Sequence, residues 1–262
     1  MRSAGANWAL RLFRKSVLKQ AKFRALLGYA GDTSGKDCLD LGSDNGVISY
    51  LFRERGGRWQ SADLTEKSVQ SIRDLVETGV QRIDGATMPF GDESFDLVIV
   101  IDLLEHVADD ARCAAELGRI LRRGGELIVN TPHALPRSVM RAVRDRLGLT
   151  DEWHGHLRPG YTLDGLRRLL GDGFEIEAAR TYSKVFSECL DVALNYAYLK
   201  RSGDGGGDRS KGTVVTEADL TGRARELRLL SLVYPLLWLF AKLDVLCLPF
   251  PGYYLIAKAR KR

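Results

Sequence analysis

Between residues 37 and 182, short apolar runs alternate with stretches whose apolar residues recur at helical spacing. No other feature constrains the fold as much. The runs "DCLDLG" (37–42), "RWQSADL" (58–64), "FDLVIVIDL" (95–103), "GELIVNTP" (125–132) and "FEIEAARTY" (174–182) read as strands. Segments between them, such as "TEKSVQSIRDLVETG" and "DDARCAAELGRILRRGG", read as helices, the second stopping at Gly124 and Gly125. Strands joined through helices form a parallel sheet covered on both faces.

A last strand, "GYYLIAKAR" (252–260), follows a long interruption that contains the low-complexity stretch "SGDGGGDRSKG". The interruption reads as an insertion. The expected organisation is therefore a basic amphipathic N-terminal helix over 1–30, a main domain formed by 31–183 and 250–262, and an apolar insertion over 184–249 with a flexible Gly-rich loop. A chain of 262 residues with 45% hydrophobic and 28% charged residues is large enough for one sizeable core. Cys38, Cys113, Cys189 and Cys247 lie far apart with no Cys/His spacing, which argues against a zinc site or a disulfide framework. The N-terminus lacks an apolar stretch followed by a cleavage site, so a cytoplasmic location is expected.

The stretch "CLDLGSDNGVIS" (38–49) places two glycines between a strand and a helix starting near Val47. Open α/β sheets bind ligands there, because glycine lets the backbone approach the ligand and the helix start offers free N–H groups. The pattern is not GxGxxG. It resembles motif I of the class I S-adenosylmethionine-dependent methyltransferases, with Asp40, Gly42 and Gly46 in place and Asp44 where a middle glycine is usual. Taken alone, the stretch also fits a plain strand-to-helix turn.

Three further stretches follow in the family's order. "SADLTEKSV" ends a strand at Asp63, "RIDGATMPFGDESFDLVIV" carries Asp84 and Gly85, and "IDLLEHV" with "LGRILRRGGELIVNTPH" completes the set. Locally, Asp63 could be a helix cap and Asp84 a turn residue. The resemblance covers roughly 36–182 and 252–260. It implies a Rossmann-like three-layer α/β sandwich with a seven-stranded, mostly parallel sheet whose last strand is antiparallel. It also implies S-adenosylmethionine as cofactor, with Gly42 and Gly46 beside its methionine part, Asp63 on the ribose, Asp84 at the adenine, and Met88 or Leu103 packed nearby. Asp44 is placed to meet the ligand's ammonium group.

Methyl transfer from a sulfonium asks the protein chiefly for alignment and for deprotonation of the acceptor. Asp102, Glu105 and His106 would share one face of a helical turn beyond the fourth strand. This grouping is similar to a D/E-x-x-E-H cluster that binds a divalent ion in some small-RNA 2′-O-methyltransferases and ubiquinone-type O-methyltransferases, where a further histidine such as His133, His154 or His156 would join. The residues themselves leave metal binding, general-base action by His106 and a structural role open, and no metal ligand set is assigned. "DEWHGHLRPGYT" (151–162) resembles a stretch lying over the active site in related small-molecule methyltransferases, and its polar content exceeds what a connection needs. The catalytic candidates are His106, His154 and His156; the competing reading is a loop tied down by Trp153 and Tyr161 with its histidines exposed.

The ends of the chain bear on the acceptor. Residues 7–27 carry six Lys/Arg and no acid among apolar side chains, which suits either a membrane-interface helix or a cap on the domain. Leu229 to Ala241 is apolar apart from Ser231; its 13 positions reach roughly 20 Å, short of a bilayer core of roughly 30 Å. Peripheral membrane contact, a lid over a greasy substrate and a dimer interface all fit such a patch. The expected function is methylation of an oxygen on an amphipathic or lipid-linked small molecule, with peripheral contact at the inner membrane face. The alternatives are an RNA 2′-O-methyltransferase and a non-catalytic protein that binds S-adenosylmethionine or a membrane. No concentrated basic and aromatic surface is evident in the core domain, which argues against nucleic acid.

Overall fold

In the computed structural model, β4 (Phe95–Ile101) runs through the middle of the molecule and sends successive side chains to opposite faces. Val98 and Val100 join one buried cluster, while Leu97, Ile99 and Ile101 join another. Helices cover both faces, so the strand is apolar from Leu97 to Ile101. The structure describes residues 4–135, 138–202 and 224–262.

Around β4 stand β1 (Asp37–Leu41), β2 (Arg58–Asp63), β3 (Val80–Arg82), β5 (Leu121–Pro132), β6 (Phe174–Tyr182) and β7 (Tyr254–Lys261). The spatial order is β3-β2-β1-β4-β5-β7-β6. The first five run parallel, and β7 pairs antiparallel with both β5 and β6. This is the expected seven-stranded, mostly parallel sheet with an antiparallel last strand. The order reverses between β1 and β4, which opens a crevice beyond their carboxyl ends.

One face carries α5 (Asp110–Ile120) and α8 (Leu163–Leu170), through Cys113, Leu117, Leu166 and Leu170. The other carries α2 (Val17–Ala30) and α3 (Val47–Arg53), through Leu26, Ala30, Ile48 and Phe52. α4 (Glu66–Val76) packs Val69 and Ile72 against Val80.

Local boundaries differ from the sequence reading at three places. β3 has only three residues, too few to display a period. α5 stops at Ile120 rather than at the glycines, because Leu121 already pairs with Phe95. The N-terminal stretch forms two helices, α1 (Ala4–Arg14) and α2, with Ser16 capping the second through its hydroxyl. Ala9, Phe13, Phe23 and Leu26 all pack on the domain, so this stretch is a cap on the fold.

Between β6 and β7 lie α9 (Val185–Ser202), α10 (Ala224–Lys242) and a short turn over 243–247. The stretch "SGDGGGDRSKG" falls mostly outside the described residues. No helix among the described residues is long and apolar enough to cross a membrane.

Candidate active site

The loop after β1 is shaped by contacts that exclude side chains. A Cβ on Gly42 would stand 2.3 Å from the Ile101 carbonyl oxygen and 3.1 Å from the Leu103 Cβ, and its φ of 82° is unfavourable for other residues. The loop therefore lies flat on the end of β4, with Leu103 buried beneath it. Asp44 sits at φ 55°, in the left-handed region that Asp tolerates better than most residues.

Asp63 closes β2 beside this loop. Its Oδ2 accepts from the Asp44 N–H at 3.1 Å and its Oδ1 from the Leu64 N–H at 2.7 Å. Burial pushes the carboxyl up to about 6, despite those donors. The cap of α4 is Thr65, whose hydroxyl accepts from the Ser68 N–H, so Asp63 is not used as a helix cap.

Asp84 follows β3, which pairs with β2 in a register that sets Arg82 opposite Asp63. Both acids thus stand at the same sheet edge. Asp84 accepts from the Ala86 and Thr87 N–H groups at 2.8 and 2.7 Å, and those bonds hold it below the usual carboxylate range. A Cβ on the neighbouring Gly85 would lie 2.7 Å from Val107 Cγ2, so this turn is pressed onto the segment beyond β4. Met88 is buried close by.

Asp40, the motif's acid and a candidate cofactor-binding residue, lies deeper than Asp63 and Asp84. It is fully buried, accepting from the Ser49 hydroxyl at 2.5 Å and the Ser61 hydroxyl at 2.7 Å, with Arg53 3.6 Å away. It braces the loop from below and has no face for a ligand. Gly46 likewise serves packing: a Cβ there would be 2.8 Å from Ile72 Cα, where α4 crosses the start of α3.

On the other side of the crevice, Asp102 leaves β4 at φ 45° and Leu104–His106 form a tight three-residue turn. That geometry parts residues expected to share a helical face. Asp102 accepts from Lys22 Nζ, and from Asn130 Nδ2 at 2.6 Å, while Tyr182 donates to Asn130 Oδ1 at 2.6 Å. Glu105 turns inward and is fully buried, with Oε2 taking the Thr131 hydroxyl at 3.3 Å. Its Oε1 meets no hydrogen-bond partner among the described residues. Burial, then the Asp102 charge, push this carboxyl up to about 8.

The stretch 151–162 docks onto this turn. Arg158 donates to the carbonyls of Leu104, Val107 and Ala108, and Tyr161 donates to Asp110 at 2.6 Å. After α6 (Val139–Arg146), the start of the stretch is α7 (Asp151–His154), capped by Thr150 and ended by Gly155 in left-handed conformation. Trp153 and Tyr161 are buried as anchors, yet His154 is buried too and His156 half-buried, so the histidines are not left outside.

His106, His154 and His156 come together. Ring centroids are 4.9 Å apart for His106 and His156, and 5.2 Å for His154 and His156. His106 Nδ1 donates to the Gly155 carbonyl at 2.8 Å, which leaves Nε2 of the neutral ring as an acceptor. Glu105, His106 and His156 also each offer one donor atom within 4.8 Å of the others. His133 instead bonds Gly252 and lines, with His156, a small cavity of about 40 Å³.

Lys22, Asn130 and Tyr182 join the site without being marked by any of its sequence motifs. Only Asn130 left a signal, as a polar residue inside an apolar strand; the others act through long-range contacts.

A glycine loop and two acids at the switch point of an open α/β sheet, with a histidine cluster beyond β4, mark a ligand-binding site of the doubly wound α/β class. Comparison narrows the class. Residues 39–129 match the family model described as a methyltransferase domain. A ubiquinone biosynthesis O-methyltransferase from Marinobacter nauticus is 30% identical over 185 residues, 62% of this chain and 76% of that protein. A ubiquinone/menaquinone biosynthesis C-methyltransferase from Paracoccus denitrificans is 29% identical over 131 residues, 47% of this chain and 52% of that protein. An S-adenosylmethionine-dependent methyltransferase structure from Mesorhizobium loti has the same fold, with a TM-score of 0.55 at 20% identity, covering 94% of this chain and 98% of that one. The chain belongs to the S-adenosylmethionine-dependent methyltransferases.

Proposed function

We propose that the protein methylates an oxygen of an amphipathic or lipid-linked small molecule, working in the cytoplasm at the inner membrane face. The carrying observation is the His106 ring: its Nδ1–H is held by the Gly155 carbonyl, which leaves Nε2 of the neutral ring to accept a proton. A hydroxyl acceptor needs such a base. Relatives named for both O- and C-methylation in quinone biosynthesis support a ring-bearing, greasy acceptor of that kind.

The residues fit S-adenosylmethionine on two grounds. The absence of a Cβ at Gly42 lets the loop backbone lie directly on Ile101 at the carboxyl end of the sheet, and Asp63 is a buried carboxyl whose charged form would be favoured by paired hydroxyl donors. When bound, the cofactor supplies a methyl group on a sulfonium, already a good leaving group. Asp63 would grip the ribose and Asp84 the adenine edge, and Asp44 would meet the ammonium group. Leu103 backs the loop, and Gly85 brings the Asp84 turn close to Val107. His106 would take the acceptor's proton, with His154 and His156 fixing its ring and shielding the site from water.

A second reading rests on the grouping of Glu105, His106 and His156. These three could hold a divalent ion, which would acidify the acceptor hydroxyl.

The test is incubation of the purified protein and a cell extract with methyl-labelled cofactor, followed by separation of aqueous, lipid and RNA fractions. Label in an ether of the lipid fraction is expected. Label confined to RNA, or no label anywhere with the cofactor bound, overturns the reading.

A further inference from the structure

A second cavity, of about 370 Å³, lies away from the histidines, between α2, the end of β6, the start of α9 and the end of α10. Its charged lining is Arg24, Arg180, Lys242 and Asp244. The acid is already committed. Asp244 Oδ2 accepts from the Lys184 N–H at 2.8 Å, and its Oδ1 accepts from the Phe186 and Ser187 N–H groups at 2.9 and 3.1 Å, closing the start of α9. The three cations form no ion pair with a carboxylate among the described residues. Arg180 lies over the Tyr29 ring and Lys242 over the Trp238 ring, at 5.4 and 4.9 Å, contacts that orient a cation without neutralising it. The cavity is a seat for negative charge.

Its surroundings say which kind of anion. From its rim, the outward side of α10 and the turn beyond carry Leu232, Leu236, Leu239, Leu246, Leu248 and Phe250, with Leu232 77% and Leu246 70% exposed. So much contiguous apolar surface marks an interaction site. Trp238 and Lys242 stand where it meets the cationic cavity, and Tyr234 with Lys15 over its ring stands near by. Apolar surface, then amphipathic aromatics, then cations is the sequence of environments across a membrane interface from acyl chain to headgroup. A second copy of the chain with its two-fold axis at the cavity fits less well, because it would set these unpaired cations against their own images.

We propose that this cavity binds the phosphate of an anionic membrane lipid, while the exposed side of α10 and the following turn enters the outer acyl region. The site holds the enzyme on an anionic bilayer at a fixed orientation. This rests on the membrane-contact part of the function proposed above and is independent of the acceptor's identity.

Two variants of the full chain separate the layers. Arg24→Gln/Arg180→Gln/Lys242→Gln empties the cavity of charge, and Leu236→Ser/Leu239→Ser/Leu246→Ser removes apolar surface. Sedimentation with phosphatidylglycerol-rich vesicles and with pure phosphatidylcholine vesicles measures partition, and calorimetry of cofactor binding checks that each variant is folded. For the cavity variant, partition onto phosphatidylglycerol should fall by roughly 100-fold, from a factor of about five per lost cation. Its residual partition onto phosphatidylcholine should stay at the wild-type level. The apolar variant should lose both. Wild-type partition onto phosphatidylglycerol by a folded cavity variant overturns the lipid site and leaves membrane contact standing. No partition of the wild-type chain onto either vesicle, or concentration-dependent dimerisation abolished by the apolar variant, overturns both.

Discussion

Lys22 of α2 donates to Asp102 at the end of β4, across 80 residues of sequence, and so fastens the N-terminal cap to the edge of the sheet that forms the active site. Both side chains are about one-fifth exposed, at 21% and 23%. Lys22→Met should lower unfolding free energy by about 1 kcal/mol, since partial solvation tempers the loss. The double variant with Asp102→Asn should cost less than the sum of the single changes in urea titrations. Strict additivity would show that the contact contributes nothing.

Asp63, pushed up to about 6, ties cofactor affinity to pH. Hydroxyl donors favour the charged carboxylate, so binding releases a proton below pH 6. Affinity should rise about tenfold per pH unit up to 6 and level off above it. Asp63→Asn should flatten this profile and weaken binding at pH 7 by roughly 10- to 100-fold in calorimetry. Asp44→Gly keeps the left-handed loop and removes only a charge; a loss of about tenfold is expected if that charge meets the ammonium group.

For the histidines, turnover and cofactor affinity should separate. His106→Ala should reduce kcat by about 10²- to 10⁴-fold, with the cofactor's Kd unchanged. His156→Ala should follow with a smaller loss, and His154→Ala should also lower thermal stability because the ring is buried. Full turnover in all three would remove the proposed base.

Glu105 makes stability fall as pH rises. Its folded value, about 8, lies above the ordinary 4.5, so its favourable contribution is complete below pH 4.5 and is lost as pH rises through 8. Between pH 6 and 8, beyond the range of Asp63, unfolding free energy should drop by up to about 1.4 kcal/mol per pH unit. Glu105→Gln should abolish that slope in urea unfolding. An unchanged slope would show that another group is responsible.

The sheet, the glycine loop and the acids at positions 63 and 84 were legible in the sequence because each depends on local order: an apolar run, a turn, a polar residue at a fixed offset. Asp40 belongs to the same local pattern, but its depth does not, and its bonds to Ser49 and Ser61 make it a brace beneath the loop. The grouping of Asp102 with Glu105 and His106 presumed helical spacing. A left-handed residue followed by a tight turn sent the first toward Lys22 and the second into the core. The partners of Asp102 come from α2 and β5, and no spacing within "IDLLEHV" encodes them.

The antiparallel β7 enters the sheet between β5 and β6, so the 184–249 segment leaves from Tyr182 and returns at Tyr254, two residues that are paired neighbours with stacked rings. A segment rooted on adjoining strand ends can lengthen or shorten while the spacing of its roots stays constant, and each doubling of length costs only about 0.6 kcal/mol of closure entropy. The scaffold that carries the site is thereby insulated from changes in the inserted segment. Natural or engineered replacement of that segment could alter what the enzyme docks on without retuning its chemistry.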